Sequence, residues 1–155
     1  MAIDPWITNN FLDPCAFDPK YAPKDKASIE LLELYKTKNN LLLLIAHSTK
    51  KEIDHPNTPA WVKTEAQNLI NTIQFQLTSN EVSLLRKIES ILAGNGKVEN
   101  IAQDARHVFE AQRYGSYFIT TDARILDRAE PLRKCCGALI DKPSRFLALL
   151  EKHKG

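Results

Sequence analysis

The residues of this sequence best suited to chemistry are carboxylates, and four of them stand out: Asp13, Glu52, Asp104 and Asp122. Carboxylates that converge repel one another and raise one another's pKa unless a cation lies between them. Mg²⁺ and Mn²⁺ prefer oxygen ligands, and such an ion activates water and polarises a phosphodiester. If the four side chains meet, they predict metal-dependent phosphodiester hydrolysis, a chemistry that needs no catalytic His, Cys or glycine-rich loop.

Asp13 and Asp122 each follow a short apolar segment that we interpret as a strand. In parallel sheets, ligands bind at the carboxyl ends of the strands, so two aspartates there would point into one cleft. An aspartate in this position is also typical of a turn or a helix cap, where its side chain bonds the nearby backbone. The residue types alone leave both interpretations open.

The other two carboxylates also have competing interpretations. Thr49-x-x-Glu52 matches a capping box, in which the glutamate reaches back to the backbone of the threonine. On a helical wheel Asp104 lies between Val108 and Ala111, at the edge of the apolar face. An edge position suits a side chain that faces a cleft, and a boundary residue without function fits it equally well.

The elements that must position these residues alternate between strands and helices. Apolar periodicity and turn signals predict the order β-α-β-α-α-α-α-β-α-β-α. The predicted strands cover 11–12, 41–46, 117–120 and 137–140; the predicted helices cover 26–38, a segment from 48, then 59–77, 81–93, 98–114, 124–132 and 144–152. Strands separated by helices indicate an α/β fold, a three-layer α/β/α sandwich with a mostly parallel central sheet. We expect a single domain over residues 1–155.

Composition limits the classes of protein that fit. With 155 residues, 43% hydrophobic and 26% charged, the chain is not collagen-like, largely disordered or membrane-embedded. A formal net charge of +2 means that a nucleic acid would have to be held by a local basic patch. The N-terminus shows no signal peptide, and the apolar run at 41–46 is too short to span a bilayer, so we expect a cytoplasmic protein. Three cysteines, two of them adjacent, indicate reduced thiols and not a disulfide framework.

The second half of the sequence has an aspartate on a predicted helix (Asp104), a glycine (Gly115), and the apolar strand Tyr117-Phe118-Ile119 ending in Thr120-Thr121-Asp122. This arrangement resembles the PIN-domain family, especially the small ribonucleases of toxin–antitoxin modules. The tail from Ala138 to Leu147 resembles the last strand, proline and closing helix of that family. At the other end of the chain, Leu12-Asp13 is similar to the family's opening motif.

The resemblance implies a PIN-like fold and a metal-dependent endoribonuclease that hydrolyses RNA. Carried over position by position, it makes Asp13, Glu52, Asp104 and Asp122 the catalytic and metal-binding set, with Mg²⁺ or Mn²⁺ as cofactor. RNA is then the substrate, and we expect a homo-oligomer with no membrane association. A small antitoxin protein is a further partner if the chain is the toxin of such a pair.

Two departures from the family pattern keep other functions open. Pro14 stands where the family usually has Thr or Ser, which removes a hydroxyl and a backbone N–H beside Asp13. The helical segment between Glu52 and Asp104 is long. The alternatives are a degenerate, non-catalytic PIN-like module that binds RNA or protein, and a metal-dependent phosphatase or DNA nuclease.

Basic residues near the predicted site are candidates for contacts with RNA phosphates. The main candidates are Arg106, Arg124, Lys50 and Lys51, with Arg113 and Arg128 beyond them. A solvated surface of mixed charge is the alternative for each. His107, next along the helix from Arg106, either positions a water or phosphate or is a structural residue of the helix.

Overall fold

The computed structural model describes residues 3–13, 26–38, 41–44, 76–97 and 101–153. Glu52, Lys50 and Lys51 lie outside these ranges, as do Pro14 and the predicted helix that begins at residue 48. Most of the helix predicted over 59–77 also lies outside them. The predictions for those residues therefore stay predictions.

Within the described residues, four strands form one parallel sheet. The strands are β1 (Asn10–Leu12), β2 (Leu43–Leu44), β3 (Tyr117–Ile119) and β4 (Leu139–Asp141), in the spatial order β2-β1-β3-β4. Phe11 pairs with Phe118, and Phe118 pairs with Ile140 on the far side. The α/β class and the parallel sheet predicted from the sequence are confirmed.

The helices in the described ranges largely follow the apolar periodicity of the sequence. They are α1 (Lys26–Thr37), α2 (Ser79–Ala93), α3 (Ala102–Tyr114), α4 (Ala123–Leu126), α5 (Ala129–Cys136) and α6 (Pro143–Lys152). A capping box between Thr78 and Glu81 starts α2, two residues earlier than predicted.

One predicted helix is wrong. The segment predicted as a single helix over 124–132 is two helices, α4 and α5, separated at Asp127 and Arg128. Pro131 explains the interruption, because proline has no N–H to donate and is tolerated only in the first turn of a helix. It occupies the first turn of α5, so the chain must begin a new helix there.

Helices pack on both faces of the sheet, which is compatible with the predicted three-layer sandwich. On one face the strand residues Leu12, Tyr117 and Ile119 form a cluster with residues of α1 and α6. On the other, Phe11, Phe118 and Ile140 form a cluster with α2, α3, α4 and α5. The two central strands, β1 and β3, are buried along their whole length, as expected for a parallel sheet between layers of helices.

Gly115 lets β1 approach the turn between α3 and β3 closely. A Cβ at this position would lie 2.3 Å from the carbonyl oxygen of Asn9, so no larger residue fits without moving the backbone. The same carbonyl accepts a hydrogen bond from the Ser116 N–H at 3.1 Å, and the Asn9 side chain donates to the Tyr114 carbonyl at 2.8 Å. These contacts hold the residue before β1 against the turn before β3, in the same register in which the two strands pair.

None of the helices in the described part of the chain is both long enough and apolar enough to cross a bilayer. The two cysteines of α5, Cys135 and Cys136, are half-buried and are not joined in a disulfide within the described residues. The prediction of reduced thiols stays a prediction. Burial raises the pKa of the Cys136 thiol.

Candidate functional site

Asp13 and Asp122 follow two adjacent strands at the same edge of the sheet. β1 and β3 are parallel and paired directly, with Leu12 opposite Ile119, so the residues after them leave the sheet side by side. The Asp13 N–H extends this ladder by donating to the Ile119 carbonyl at 2.9 Å. The carboxyl edge of the sheet is therefore where both aspartates lie, as predicted from the order of elements.

Asp13 is held in a buried polar contact. Asp13 is only 5% exposed, and its Oδ2 accepts a hydrogen bond from the Thr120 hydroxyl at 2.7 Å. Its other oxygen, Oδ1, lies 3.8 Å from Nδ1 of His107. A buried carboxylate needs such partners, because burying an unpaired charge is costly.

Thr120 connects the two aspartates. Its hydroxyl donates to Asp13 and accepts a hydrogen bond from the Asp122 N–H at 3.0 Å. The turn after β3 and the end of β1 are thus joined through one buried oxygen. In the sequence Thr120 is visible only as part of the Thr120-Thr121-Asp122 motif; its position immediately after β3, beside Asp13, is what gives it this role.

His107 is a structural residue of α3, not a surface group. It is fully buried, which excludes direct contact with a phosphate in this conformation. The Gln103 side-chain amide lies 3.2 Å from Nε2 of His107. If that amide nitrogen donates, Nε2 is the acceptor and the ring proton is on Nδ1, facing Asp13. The structural interpretation of His107 therefore fits the geometry.

Asp104 lies in the first turn of α3, where the helix dipole favours a negative charge. Its pKa is raised, first by burial and then by the nearby charge of Asp122, while Arg124 opposes the shift. Asp104 and Asp122 both lie beside the Arg124 guanidinium, and we refer to these two carboxylates as the acidic pair. The partly buried side chain agrees with the edge position found on the helical wheel.

Asp122 is both a helix cap and a member of this pair. Its Oδ1 accepts the Arg124 N–H at 2.9 Å and so caps α4. Its Oδ2 lies 3.4 Å from Nη2 of Arg124. The capping interpretation and the site interpretation are therefore compatible, because each uses a different oxygen.

Arg124 lies between the two carboxylates. One nitrogen, Nη2, is 3.2 Å from Oδ2 of Asp104 and 3.4 Å from Oδ2 of Asp122. The hydrogen bond to Asp122 and the charges of both aspartates raise the pKa of Arg124, so the guanidinium is charged. This nitrogen is therefore a cationic atom shared by the two carboxylates.

The donor chemistry of this pair fits Mg²⁺ or Mn²⁺. Both side chains are carboxylates that contact the same cationic nitrogen, and these ions keep several waters at positions that the protein does not fill. Asp13 belongs to the same edge but is connected through Thr120. Among the described residues no group of three or more His, Cys, Asp or Glu side chains is close enough to hold a metal ion. Glu52, the fourth predicted ligand, lies outside those residues.

A further acidic residue at this edge did not emerge from the sequence. Asp141 ends β4, opposite Ile119, and its Oδ1 is 3.3 Å from Nε of Arg145. Burial raises its pKa, and Arg145 opposes that shift. The signal was present, since Asp141 follows a predicted strand just as Asp13 and Asp122 do.

The described arginines proposed for RNA each contact the protein in this structure. Arg106 is 3.7 Å from Glu110, and Arg113 forms an ion pair with Glu81 that joins α3 to α2. Arg128 donates to the carbonyls of Ile91 and Arg124. A phosphate bound by any of them would have to compete with these contacts.

Comparison of the chain with protein-family models, with curated proteins and with solved structures gave no match. The resemblance to the PIN domains thus depends on the motifs of the sequence.

Proposed function

We propose that this chain is a metal-dependent endoribonuclease of the PIN type. The observation that supports this most directly is the acidic pair Asp104 and Asp122, which shares one cationic nitrogen at the carboxyl edge of a parallel sheet. Asp13, linked to the Asp122 turn by Thr120, lies on the adjacent strand end. In the proposal Glu52 completes the set.

The residues of the chain have separate parts in this mechanism. Asp104 and Asp122 hold Mg²⁺ or Mn²⁺, and Asp13 adds negative charge beside them. The chemistry supplied by the bound ion is activation of water and stabilisation of charge on the phosphodiester. Pro14 lacks the hydroxyl and the backbone N–H that a Thr or Ser would place beside Asp13. In the proposal Thr120 and His107 hold Asp13 in place instead.

RNA is the proposed substrate, with a small antitoxin protein as partner and a homo-oligomer as the working assembly. These parts of the proposal come from the family resemblance. Arg106 and Arg124, with Lys50 and Lys51, are the proposed phosphate contacts.

The test is cleavage of a structured RNA by the purified chain, with Mn²⁺ and with chelator. Cleavage is expected only with the metal, and Asp104→Asn and Asp122→Asn should reduce it to background. Asp127→Asn is the matched control: the same change at an exposed aspartate just past α4, which should cut as the wild type does. Equal cleavage in chelator would contradict the metal mechanism.

A non-catalytic module that binds RNA or protein is the second candidate. It is favoured by Arg124, which already places one positive charge against both carboxylates of the acidic pair, and by Pro14 beside Asp13. Binding of RNA without any cleavage, in Mn²⁺ and at high protein concentration, would support this candidate over the nuclease.

A further inference from the structure

The Arg124 side chain is the most exposed of the three side chains that meet here. It is 58% exposed, whereas those of Asp104 and Asp122 are 22% and 25% exposed. Its Nη2 contacts one oxygen of each carboxylate, so a cation that binds both of these oxygens must displace the arginine.

We propose that Arg124 is a displaceable internal counter-cation, which holds the acidic pair together without metal and must leave when a divalent ion binds. The proposal rests on the proposed metal site. Its consequence is a lower affinity for metal, since an ion that binds must replace a charge already present.

The contacts of Arg124 are suited to exchange. Exposed ion pairs contribute little each, so two of them hold the guanidinium without fixing it permanently. A divalent ion brings twice the charge to the same oxygens. With neither Arg124 nor a metal ion in contact, the two partly buried carboxylates would repel each other.

The backbone around Arg124 is held independently of its guanidinium. The Arg124 N–H donates to Oδ1 of Asp122, and its carbonyl accepts from Nη1 of Arg128 at 3.1 Å. The side chain can therefore swing outward while α4 stays in place. Released in this way, it would point a free guanidinium to solvent at the rim of the site.

The experiment measures Mn²⁺ affinity by calorimetry, without RNA. Arg124→Gln removes the competing charge and should bind Mn²⁺ on the order of fivefold more tightly than the wild type. The control is Arg106→Gln, which removes the same charge two residues from Asp104 on α3, where the arginine pairs with Glu110 instead. Its affinity should change by about twofold or less, because Arg106 contacts Glu110 and its removal frees neither carboxylate of the acidic pair.

A second readout is melting temperature in chelator. Arg124→Gln should melt at or below the wild type without metal, and should gain more from millimolar Mn²⁺. If that variant does not fold, Arg124→Lys takes its place. Lysine keeps the charge but lacks the planar guanidinium that contacts both carboxylates. This variant should bind Mn²⁺ more tightly than the wild type, by a smaller factor than that expected for Arg124→Gln.

The outcomes separate the two proposals. If the wild type binds Mn²⁺ but Arg124→Gln binds no more tightly than Arg106→Gln, the counter-cation role is wrong and the metal site stands. If neither the wild type nor either variant binds Mn²⁺, both the metal site and the counter-cation role are overturned.

Discussion

The Thr120 hydroxyl donates to Oδ2 of Asp13 at 2.7 Å, across 107 residues of sequence. The same oxygen accepts the Asp122 N–H, so one buried hydroxyl holds the end of β1 against the turn after β3. The position of Asp13 relative to the acidic pair therefore depends on a side chain that is itself not acidic.

Replacing this hydroxyl should be costly. Thr120→Val keeps the shape but removes two hydrogen bonds, the one that the hydroxyl donates to Oδ2 of Asp13 and the one that it accepts from the Asp122 N–H. We expect the free energy of unfolding to fall by about 2–4 kcal/mol, measured by urea denaturation. Thr120→Ser keeps the hydroxyl and should lose clearly less. Equal losses for Val and Ser would show that packing, and not the hydrogen bond, explains the effect.

Asp104 should destabilise the metal-free protein at neutral pH. Burial and Asp122 raise its folded-state pKa above the ordinary value of 3.8, so the folded chain binds this proton more tightly than the unfolded chain. Protonated Asp104 therefore contributes stability that is complete below the pKa of the carboxyl in the unfolded chain. This contribution is lost as the pH rises through the pKa of Asp104 in the folded chain. In chelator at pH 7, Asp104→Asn should therefore melt at or above wild type, and the gap should close near pH 3.

Metal should reverse this order. Mn²⁺ at a hundredfold excess over its dissociation constant should stabilise the wild type by roughly 2.7 kcal/mol, and Asp104→Asn should lose most of that gain. Thermal melting in chelator and in Mn²⁺ measures both effects. Melting curves that Mn²⁺ leaves unmoved in both proteins would show that the carboxylates do not form a metal site.

The close approach at Gly115 gives a prediction that does not involve function. Gly115→Ala forces a methyl group against the Asn9 carbonyl at 2.3 Å, so β1 must shift. We expect a loss of at least about 2 kcal/mol in unfolding free energy. Gly137→Ala is the control: its Cβ meets nothing within 4 Å, and only its positive φ of 82° opposes the change. That variant should lose about 1 kcal/mol.

RNA binding, if it depends on local basic residues, should weaken with salt. For a single strand the slope of log affinity against log salt is about −0.7 for each phosphate neutralised. Arg106→Gln should make the slope less steep by about that amount, measured with a fluorescent oligonucleotide in chelator. Affinity that does not change with salt would favour a protein as the binding partner.

The sequence predicted the strands and most helices because their apolar patterns are local. The same patterns located Asp13, Asp104 and Asp122 relative to the sheet. The role of Thr120 and the contact of Arg124 with both carboxylates were not predictable in this way, because each requires knowing which distant elements become neighbours. Asp104 and Arg124 meet only because the first turn of α3 lies beside α4.

Pairing of β1 with β3 also determines when the site exists during synthesis. Asp13 leaves the ribosome long before Thr120, and at roughly 5–20 residues per second the interval is on the order of 5–20 seconds. During that time β1 lacks its central neighbour, and Asp13 lacks the hydroxyl that holds it. A nascent chain therefore cannot hold Asp13 against the turn after β3 until Thr120 has been synthesised, so the carboxyl edge of β1 and β3 is assembled only late in translation.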